Sequence, residues 1–222
     1  MRLRLRSSGP AVTTAVAGLL LATPLAAAWG APGQWTHNED TCFGATPTIT
    51  GSPDALVEGT AEADVILGGG DVRGGLGDDL ICDATGTVYG GSGDDRIRML
   101  DGGSARGGFG SDEFVSITVS VTAEEPTLFG GPGDDLFWGG PLRETVEGGG
   151  GNDVARTGGG DDLVDLGEGD DDAYGGPGDD RFVGLGGDDF VDGGTGFDTA
   201  AGGLGRDRCL AVESRDSCPR LS

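Results

Sequence analysis

The sequence predicts an all-β repeat fold in which short strands stack on one another in successive coils. Glycine makes up 48 of the 222 residues, acidic residues outnumber basic ones by 38 to 14, and a nine-residue period runs without a gap over residues 130–210. Low apolar content with high net charge by itself favours disorder. The repeat outweighs that indication, because self-similarity at a fixed period is the signature of solenoid proteins.

The repeat unit has the form G-G-x-G-x-D-x-U-x, where U is apolar. Residues 130–210 read GGPGDDLFW, GGPLRETVE, GGGGNDVAR, TGGGDDLVD, LGEGDDDAY, GGPGDDRFV, GLGGDDFVD, GGTGFDTAA and GGLGRDRCL. Glycine at positions 1, 2 and 4 permits a positive φ or a close approach of two backbones, so these positions form a tight turn. Positions 7–9 form a short strand whose middle side chain faces inward, because side chains alternate along a strand.

Nine such units in register resemble the RTX family of calcium-binding nonapeptide repeats. The resemblance implies a right-handed parallel β-roll in which two units make one 18-residue coil with a turn on each side. It also implies that stacked turns share several Ca²⁺ ions. The residue types suit that role, since Ca²⁺ prefers carbonyl and carboxylate oxygens in a flexible arrangement of six to eight ligands.

Turns on the same side of such a roll recur every second unit, so position 6 forms two columns. The unit that begins at Gly139 lacks both the position-4 glycine and the Asp, and Glu144 is therefore given no ion. In residues 130–210 the first turn column carries Asp135, Asp153, Asp171, Asp189 and Asp207, and the second turn column carries Asp162, Asp180 and Asp198.

The preceding region is less regular. Units begin at Gly59, Gly74, Gly90 and Gly107, so successive starts are unequally spaced and each spacing is shorter than two full units. Each gap predicts one coil with a shortened second turn, so ligands are expected on the first side only. The longer spacing from Asp112 to Asp135 predicts an extended strand followed by a bulge around residues 124–126. The ligands predicted in this region are Asp64, Asp79, Asp95 and Asp112.

Position 8 predicts a core of two thin columns, bounded by an N-terminal cap at residues 29–58 and a C-terminal cap at residues 211–222. The irregular coils are assigned to residues 59–129 and the regular coils to residues 130–210. The first core column is Ile66, Ile81, Ile97, Phe114, Phe137, Ala155, Ala173, Val191 and Cys209, and the second is Val72, Val88, Ala105, Leu128, Val146, Val164, Phe182 and Ala200.

Residues 1–28 have the features of a secretory signal peptide. Three Arg precede an apolar stretch over residues 11–25, and Ala26–Ala28 offers a cleavage site, so we expect a secreted chain that begins at Trp29 without a transmembrane segment. Four cysteines in an oxidising compartment predict disulfides. Of three possible pairings we favour Cys42–Cys82 and Cys209–Cys218; a structural zinc site is the alternative, but no C-x-x-C spacing supports it.

Removing the signal takes away three Arg and no acid, which changes the net charge from −24 to −27. Stacked carboxylates of that number oppose folding unless cations lie between them. Intervals between aspartates provide about ten shared sites for Ca²⁺, so we predict a chain that is disordered without calcium and folded with it. The aspartates at position 5, such as Asp134 and Asp179, are expected to face solvent.

No catalytic motif is present, so no enzymatic activity is predicted. The chain's one histidine is His37, and the sequence has no H-E-x-x-H, G-x-S-x-G or P-loop motif. The acidic balance argues against nucleic acid as a partner. Two roles remain: a calcium-dependent structural or adhesion module that binds cell-surface or extracellular-matrix components, and an accessory module that targets a separate secreted enzyme, for example through carbohydrate.

Overall fold

A computed structural model describes residues 41–117, 125–216 and 218. They form a parallel β-solenoid of about 9 turns, and the described part of the chain has no helix. Odd-numbered strands build one ten-stranded sheet and even-numbered strands build the other. A helix long and apolar enough to cross a membrane is absent from the described ranges. The predicted signal peptide lies outside them.

The strands alternate between the two sheets along the chain. In order they are β1 Ile49–Thr50, β2 Val57–Glu58, β3 Val65–Leu67, β4 Val72–Leu76, β5 Leu80–Ala84, β6 Thr87–Ser92, β7 Arg96–Leu100, β8 Ser104–Phe109, β9 Glu113–Ile117, β10 Thr127–Pro132, β11 Leu136–Trp138, β12 Thr145–Gly150, β13 Val154–Arg156, β14 Leu163–Glu168, β15 Asp172–Pro177, β16 Arg181–Val183, β17 Phe190–Thr195, β18 Thr199–Ala201, β19 Arg208–Leu210 and β20 Ser214–Asp216.

The two core columns are confirmed residue by residue. Strand pairing places Phe114 beside Phe137 and then Ala155, and it places Val146 beside Val164 and then Phe182. All seventeen predicted core side chains are buried. The columns also extend into residues 29–58, where Ile49 pairs with Ile66 and Val57 pairs with Val72.

The unequal spacings of the N-terminal region each correspond to one coil. Ile66, Ile81, Ile97 and Phe114 are successive partners in the odd sheet, although the segments that separate them differ in length. β9 begins after Asp112 and continues to Ile117, which pairs with Leu100, and the described part of the predicted longer strand ends there. Residues 118–124, which include the start of the predicted bulge, lie outside the described residues.

The shortened second turns of this region enclose apolar side chains, which the sequence did not predict. Ala84 and Met99 are partners at the ends of β5 and β7, and both are buried in the main hydrophobic cluster. Ser116 follows Met99 in register and is also buried. The second side of the N-terminal coils is therefore filled by side chains at the level where the C-terminal coils place carboxylates.

Both favoured disulfides are confirmed. Cys42 bonds to Cys82, and Cys209 bonds to Cys218. The first bridge fastens the N-terminal cap to β5, where a second contact reinforces it: the Arg98 guanidinium pairs with Asp83 at 2.9 Å and donates to the Thr41 carbonyl. All four cysteines are used in this way, so none of them ligates zinc.

Candidate metal centre

The position-6 carboxylates lie inside the solenoid at the two edges where its sheets meet the turns. All twelve predicted ligands are buried; Asp64 is the most accessible, at 7% exposed, and the others expose at most 2%. Tight turns place them there, because each turn returns the chain to the sheet with the position-6 side chain directed inward.

Each carboxylate accepts a hydrogen bond from the preceding coil. The Asp135 N–H donates to Asp153 Oδ1 at 2.8 Å, and the Asp162 N–H donates to Asp180 Oδ1 at 2.9 Å. The same bond recurs from Asp64 to Asp207 in the first turn column and from Glu144 to Asp198 in the second. This ladder fixes the orientation of every side chain in it.

The second oxygen of nearly every position-6 carboxylate is buried without a hydrogen-bond partner. A buried charged oxygen without a partner is costly, so the free energy of folding favours a cation beside it. The oxygens concerned are Oδ2 of Asp79, Asp95, Asp112, Asp135, Asp153, Asp162, Asp171, Asp180, Asp189, Asp198 and Asp207, and Oε2 of Glu144.

Carbonyl oxygens lie close to these carboxylate oxygens that lack a hydrogen-bond partner. A Cβ added to Gly130 would overlap both Asp135 Oδ2 and the Gly148 carbonyl oxygen of the next coil. Gly131 has a φ of 123°, which an L side chain rarely adopts. The turn therefore presents one carboxylate oxygen and neighbouring carbonyls in a space that only glycine leaves open. This donor set fits Ca²⁺, which takes oxygen ligands of both kinds.

Burial raises the pKa of the position-6 carboxyls from Asp79 to Asp198 above the usual value. Desolvation is the largest cause, and the carboxylates of adjacent coils raise the pKa further. The pKa of Asp135 rises to about 8, that of Asp153 to about 7 and that of Asp79 to about 6. A cation between successive coils would offset both causes, because it stabilises the charged form.

Asp64 differs from the other predicted ligands. Its Oδ2 accepts hydrogen bonds from the Thr60 N–H at 2.7 Å and from the Thr60 hydroxyl at 2.9 Å. Thr60 stands where later units have the second glycine. The carboxylate that begins the first turn column is thus already satisfied by its own turn.

The position-5 side chains face solvent, as predicted, and they form a ladder of opposite direction. Asp134 Oδ1 accepts from the Asn152 N–H of the following coil at 2.7 Å, and Asp179 Oδ1 accepts from the Phe197 N–H at 2.8 Å. Their role in the structure is to pair exposed turn amides. The sequence did not indicate this function, because each partner lies in the next coil and not in the same turn.

Sequence reasoning also missed two glutamates. Glu144 is fully buried in the second turn column, where its Oε1 accepts from the Gly140 N–H at 3.0 Å. Glu213 ends the same column, since its Oε2 accepts from the Asp198 N–H at 2.7 Å. The signal for Glu144 was its place at position 6, although the rest of its unit departs from the consensus.

No group of three or more His, Cys, Asp or Glu side chains that could hold a metal ion occurs within the described residues. The acidic side chains are instead distributed along the two turn columns, with at most one at position 6 of each turn. Carbonyl oxygens would therefore have to complete the coordination of any ion held there.

A parallel solenoid whose successive turns each bury a carboxylate oxygen without a hydrogen-bond partner is typical of a cation-binding repeat protein. The family model of the RTX calcium-binding nonapeptide repeat matches in four copies, at residues 87–98, 127–143, 138–173 and 174–209. The chain belongs to this family, whose repeats bind calcium. No curated protein and no solved structure matches the chain.

Proposed function

We propose that this protein is a secreted structural module whose β-solenoid folds on binding several Ca²⁺ ions between successive turns. The observation that supports the proposal most strongly is the repeated buried carboxylate oxygen without a hydrogen-bond donor. An ion at each such place would supply the missing partner at every coil.

The ligands in this proposal are position-6 carboxylates together with turn carbonyls. In the first turn column they are Asp79, Asp95, Asp112, Asp135, Asp153, Asp171, Asp189 and Asp207, and in the second they are Asp162, Asp180 and Asp198. Asp64 contributes only if its carboxylate exchanges the Thr60 hydrogen bonds for an ion, so we expect the weakest site there.

Binding energy becomes folding energy in this arrangement, because the unfolded chain has no preformed site. About ten divalent ions would nearly neutralise the charge of −27 that remains after removal of residues 1–28. Extracellular calcium modules bind at roughly 10⁻⁴–10⁻³ M. The C-terminal coils, which have carboxylates in both turn columns, would therefore stay unfolded where calcium is scarce and fold after export.

A second candidate role, in carbohydrate or matrix recognition, is favoured by one surface. On the outer face of the odd sheet, the Arg156 guanidinium lies 5.0 Å from the Trp138 ring and 4.8 Å from the Tyr174 ring. Phe190 continues this row, 5.6 Å from Tyr174. Rows of rings on a flat sheet suit sugar rings, and retention of the protein on cell-wall polysaccharide, lost in Tyr174→Ala, would support this role.

Far-UV circular dichroism of residues 29–222 tests the calcium-binding role directly. Calcium is titrated from excess chelator into the millimolar range, with magnesium as the control. We expect a cooperative gain of β-structure with calcium and not with magnesium. Full β-structure in excess chelator would overturn the coupling of folding to calcium.

A further inference from the structure

A row of outward-facing side chains runs along the even-numbered sheet, one from each of five successive coils. Strand pairing places neighbours in the row side by side, about 4.8 Å apart. We call it the central row, and in chain order it consists of Tyr89, Arg106, Phe129, Glu147 and Asp165. Phe129 and Asp165 are half-buried and the other three are exposed. The row therefore has an aromatic centre, a cation on one side of it and two acids on the other.

The charged groups of the central row have no oppositely charged partner in the described part of the chain. The Arg106 guanidinium lies 4.0 Å from the centroid of the Phe129 ring and forms no ion pair with a described residue. Glu147 and Asp165 are direct neighbours, and like charges on adjacent strands oppose pairing. Asp165 Oδ1 is buried without a hydrogen-bond partner. A single copy of the chain therefore leaves both sides of the row unsatisfied.

Short side chains flank the central row. Two residues before its members stand Thr87, Ser104, Thr127 and Thr145, which pair in register and are all half-buried. Side chains of this size do not hold a second sheet away, and sheets that pack face to face lie about 10 Å apart. The outer face of the even-numbered sheet is thus shaped to receive another flat sheet.

The order of the row is self-complementary about Phe129. Arg106 and Glu147 lie one coil to either side of Phe129, and Tyr89 and Asp165 lie two coils to either side. A second copy whose solenoid axis is reversed, related by a two-fold axis that runs along the Phe129 strand, sets Arg106 opposite Glu147 and Tyr89 opposite Asp165. Each contact is then made twice, because a two-fold interface uses the same surface on both copies.

We propose that this face binds a second copy of the chain, in an antiparallel dimer whose two-fold axis passes through the coil of Phe129. The Arg106 guanidinium of each copy pairs with the Glu147 carboxylate of the other, and the Tyr89 hydroxyl donates to the Asp165 carboxylate. The two Phe129 rings meet at the axis. The turns that carry the position-6 carboxylates lie at the edges of the sheet and take no part.

An arrangement with the two solenoid axes parallel does not satisfy the charges. It sets each coil against the same coil of the second copy, so that Glu147 faces either its own equivalent or Thr145. The Arg106 guanidinium would then remain without a carboxylate. Pairing of the charges therefore favours the antiparallel arrangement over the parallel one.

The dimer should be weak and should form at high protein concentration. The central row spans four coil intervals, about 19 Å, which is short for an interface that typically buries about 800 Å² on each partner. Charges more than about 8 Å apart are largely screened at physiological ionic strength. The paired contacts within the row therefore matter more than the net negative charge of each copy.

The decisive experiment reverses the charges that face each other. Sedimentation velocity of residues 29–222 in millimolar calcium is measured over a wide range of protein concentration for the wild type, Arg106→Glu and Glu147→Arg. The matched control is Arg206→Glu, which makes the same change of charge in an exposed turn outside the sheet. Circular dichroism of each sample checks that the coils are folded.

We expect a reversible dimer of the wild type and of Arg206→Glu. Arg106→Glu and Glu147→Arg should each dimerise at least tenfold more weakly, because like charges then face each other at both contacts. An equimolar mixture of these two variants should dimerise as the wild type does, because every contact between unlike copies then joins opposite charges.

A cross-link gives a second test that does not depend on the charged residues. Thr127 lies in the same coil as Phe129, so Thr127→Cys brings the thiols of the two copies close together at the axis, and a short bismaleimide should join them. Thr199→Cys, four coils further along the same sheet, should be joined at least tenfold less.

A folded wild type that stays monomeric at every concentration would overturn the interface. Arg106→Glu and Glu147→Arg variants that dimerise as strongly as the wild type, a mixture that does not recover, or equal cross-linking of the two cysteine variants would do the same. Retention of a monomeric protein on an acidic polysaccharide, lost in Arg106→Glu, would assign this face to that partner and not to a second copy.

Discussion

The coils of residues 59–129 and those of residues 130–210 share one backbone path but differ in what fills it. In the first region the core columns carry large side chains such as Ile81, Ile97 and Phe114, and Met99 adds to them. In the second region alanine occupies three places, at Ala155, Ala173 and Ala200. Burying a large apolar side chain contributes about 1.5–3 kcal/mol, and alanine contributes much less.

The turns differ in the same sense. The N-terminal coils have carboxylates in the first turn column alone, and a disulfide and the Arg98–Asp83 ion pair reinforce them. The C-terminal coils have carboxylates in both turn columns and a thinner core. The comparison indicates that apolar burial and bound cations are alternative ways of stabilising one coil, and that the C-terminal coils depend more on calcium.

The largest effect should come from pH in the absence of calcium, because it acts on all the buried carboxyls together. Folded-state pKa values of about 6 for Asp79 and about 8 for Asp135 exceed the ordinary 3.8. The folded state then binds more protons than the unfolded state between about pH 4 and pH 8, so stability must rise as pH falls through this window.

Far-UV circular dichroism of the calcium-free protein at pH 8, 6.5 and 5 measures this dependence. We expect the β-structure content to increase at each step towards acid. With calcium present the sign should reverse, because protons compete with the ion for the same oxygens. A calcium-free β-structure content that falls on acidification would contradict the burial of these groups.

Loss of the Cys42–Cys82 bridge should be the next largest effect. The bridge joins residues 40 apart, and closing a loop of that length stabilises by about 4 kcal/mol in the chain-entropy description. Replacing both cysteines by alanine should therefore destabilise the N-terminal coils even in saturating calcium.

The matched control replaces Cys209 and Cys218, which are 9 residues apart. Loss of the Cys209–Cys218 bridge should lower the free energy of unfolding by about 2.5 kcal/mol, and the effect should be at the other end of the solenoid. Equal effects of the two replacements on the N-terminal coils, measured by hydrogen exchange, would contradict the role given to the first bridge.

A smaller effect is expected from Asp153→Asn, which tests one ligand of the C-terminal coils. Asparagine keeps the acceptor for the Asp135 N–H but removes the charge. The calcium affinity of the sites that Asp153 ligates should therefore fall by about tenfold, which is about 1.4 kcal/mol of binding free energy. The control is Asp134→Asn, because Asn152 already fills the equivalent position-5 place in the next coil. Calcium titration that gives equal affinity for the two variants would remove Asp153 from the ligand set.

The smallest effect concerns Leu185, which occupies the second turn position with a φ of 66° where most units have glycine. A left-handed conformation destabilises a non-glycine residue by about 1–2 kcal/mol. Replacing that residue by glycine removes this cost, but the greater entropy of glycine in the unfolded chain offsets about 0.5–1 kcal/mol of the stabilisation. Leu185→Gly should raise stability by up to about 1 kcal/mol in calcium. The control is Leu76→Gly, at an exposed third position of its turn, which should not raise stability. A Leu185→Gly variant that is less stable than the wild type would contradict this account of the turn.

The nine-residue period was enough to predict the strand register, because each inward side chain is fixed by its place in the unit. The same period placed Asp153 and Asp180 in their turn columns, and the cysteines were paired correctly. Each shortened gap between units in the irregular region was predicted to form one coil. This prediction is confirmed, because Ile81 and Ile97 occupy the apolar position 8 of their units.

Other features could not be read from the sequence, since they depend on contacts between coils. Nothing local indicates that Asp153 bonds backwards to Asp135 while Asp134 bonds forwards to Asn152. The filling of the shortened turns by Ala84 and Met99 likewise depends on how far each strand extends. No ion was assigned to Glu144 because its unit lacks the consensus, although its side chain is buried at position 6, where the other units have an aspartate.

Hydrogen exchange measured by mass spectrometry, with and without calcium, tests the central claim most directly. We predict that strands β11–β18 lose nearly all amide protection in chelator and regain it in millimolar calcium. Strands β3–β9, with their larger core and the first disulfide, should keep a measurable part of theirs. Equal protection of β11–β18 in chelator and in calcium would contradict the claim that bound cations stabilise the C-terminal coils.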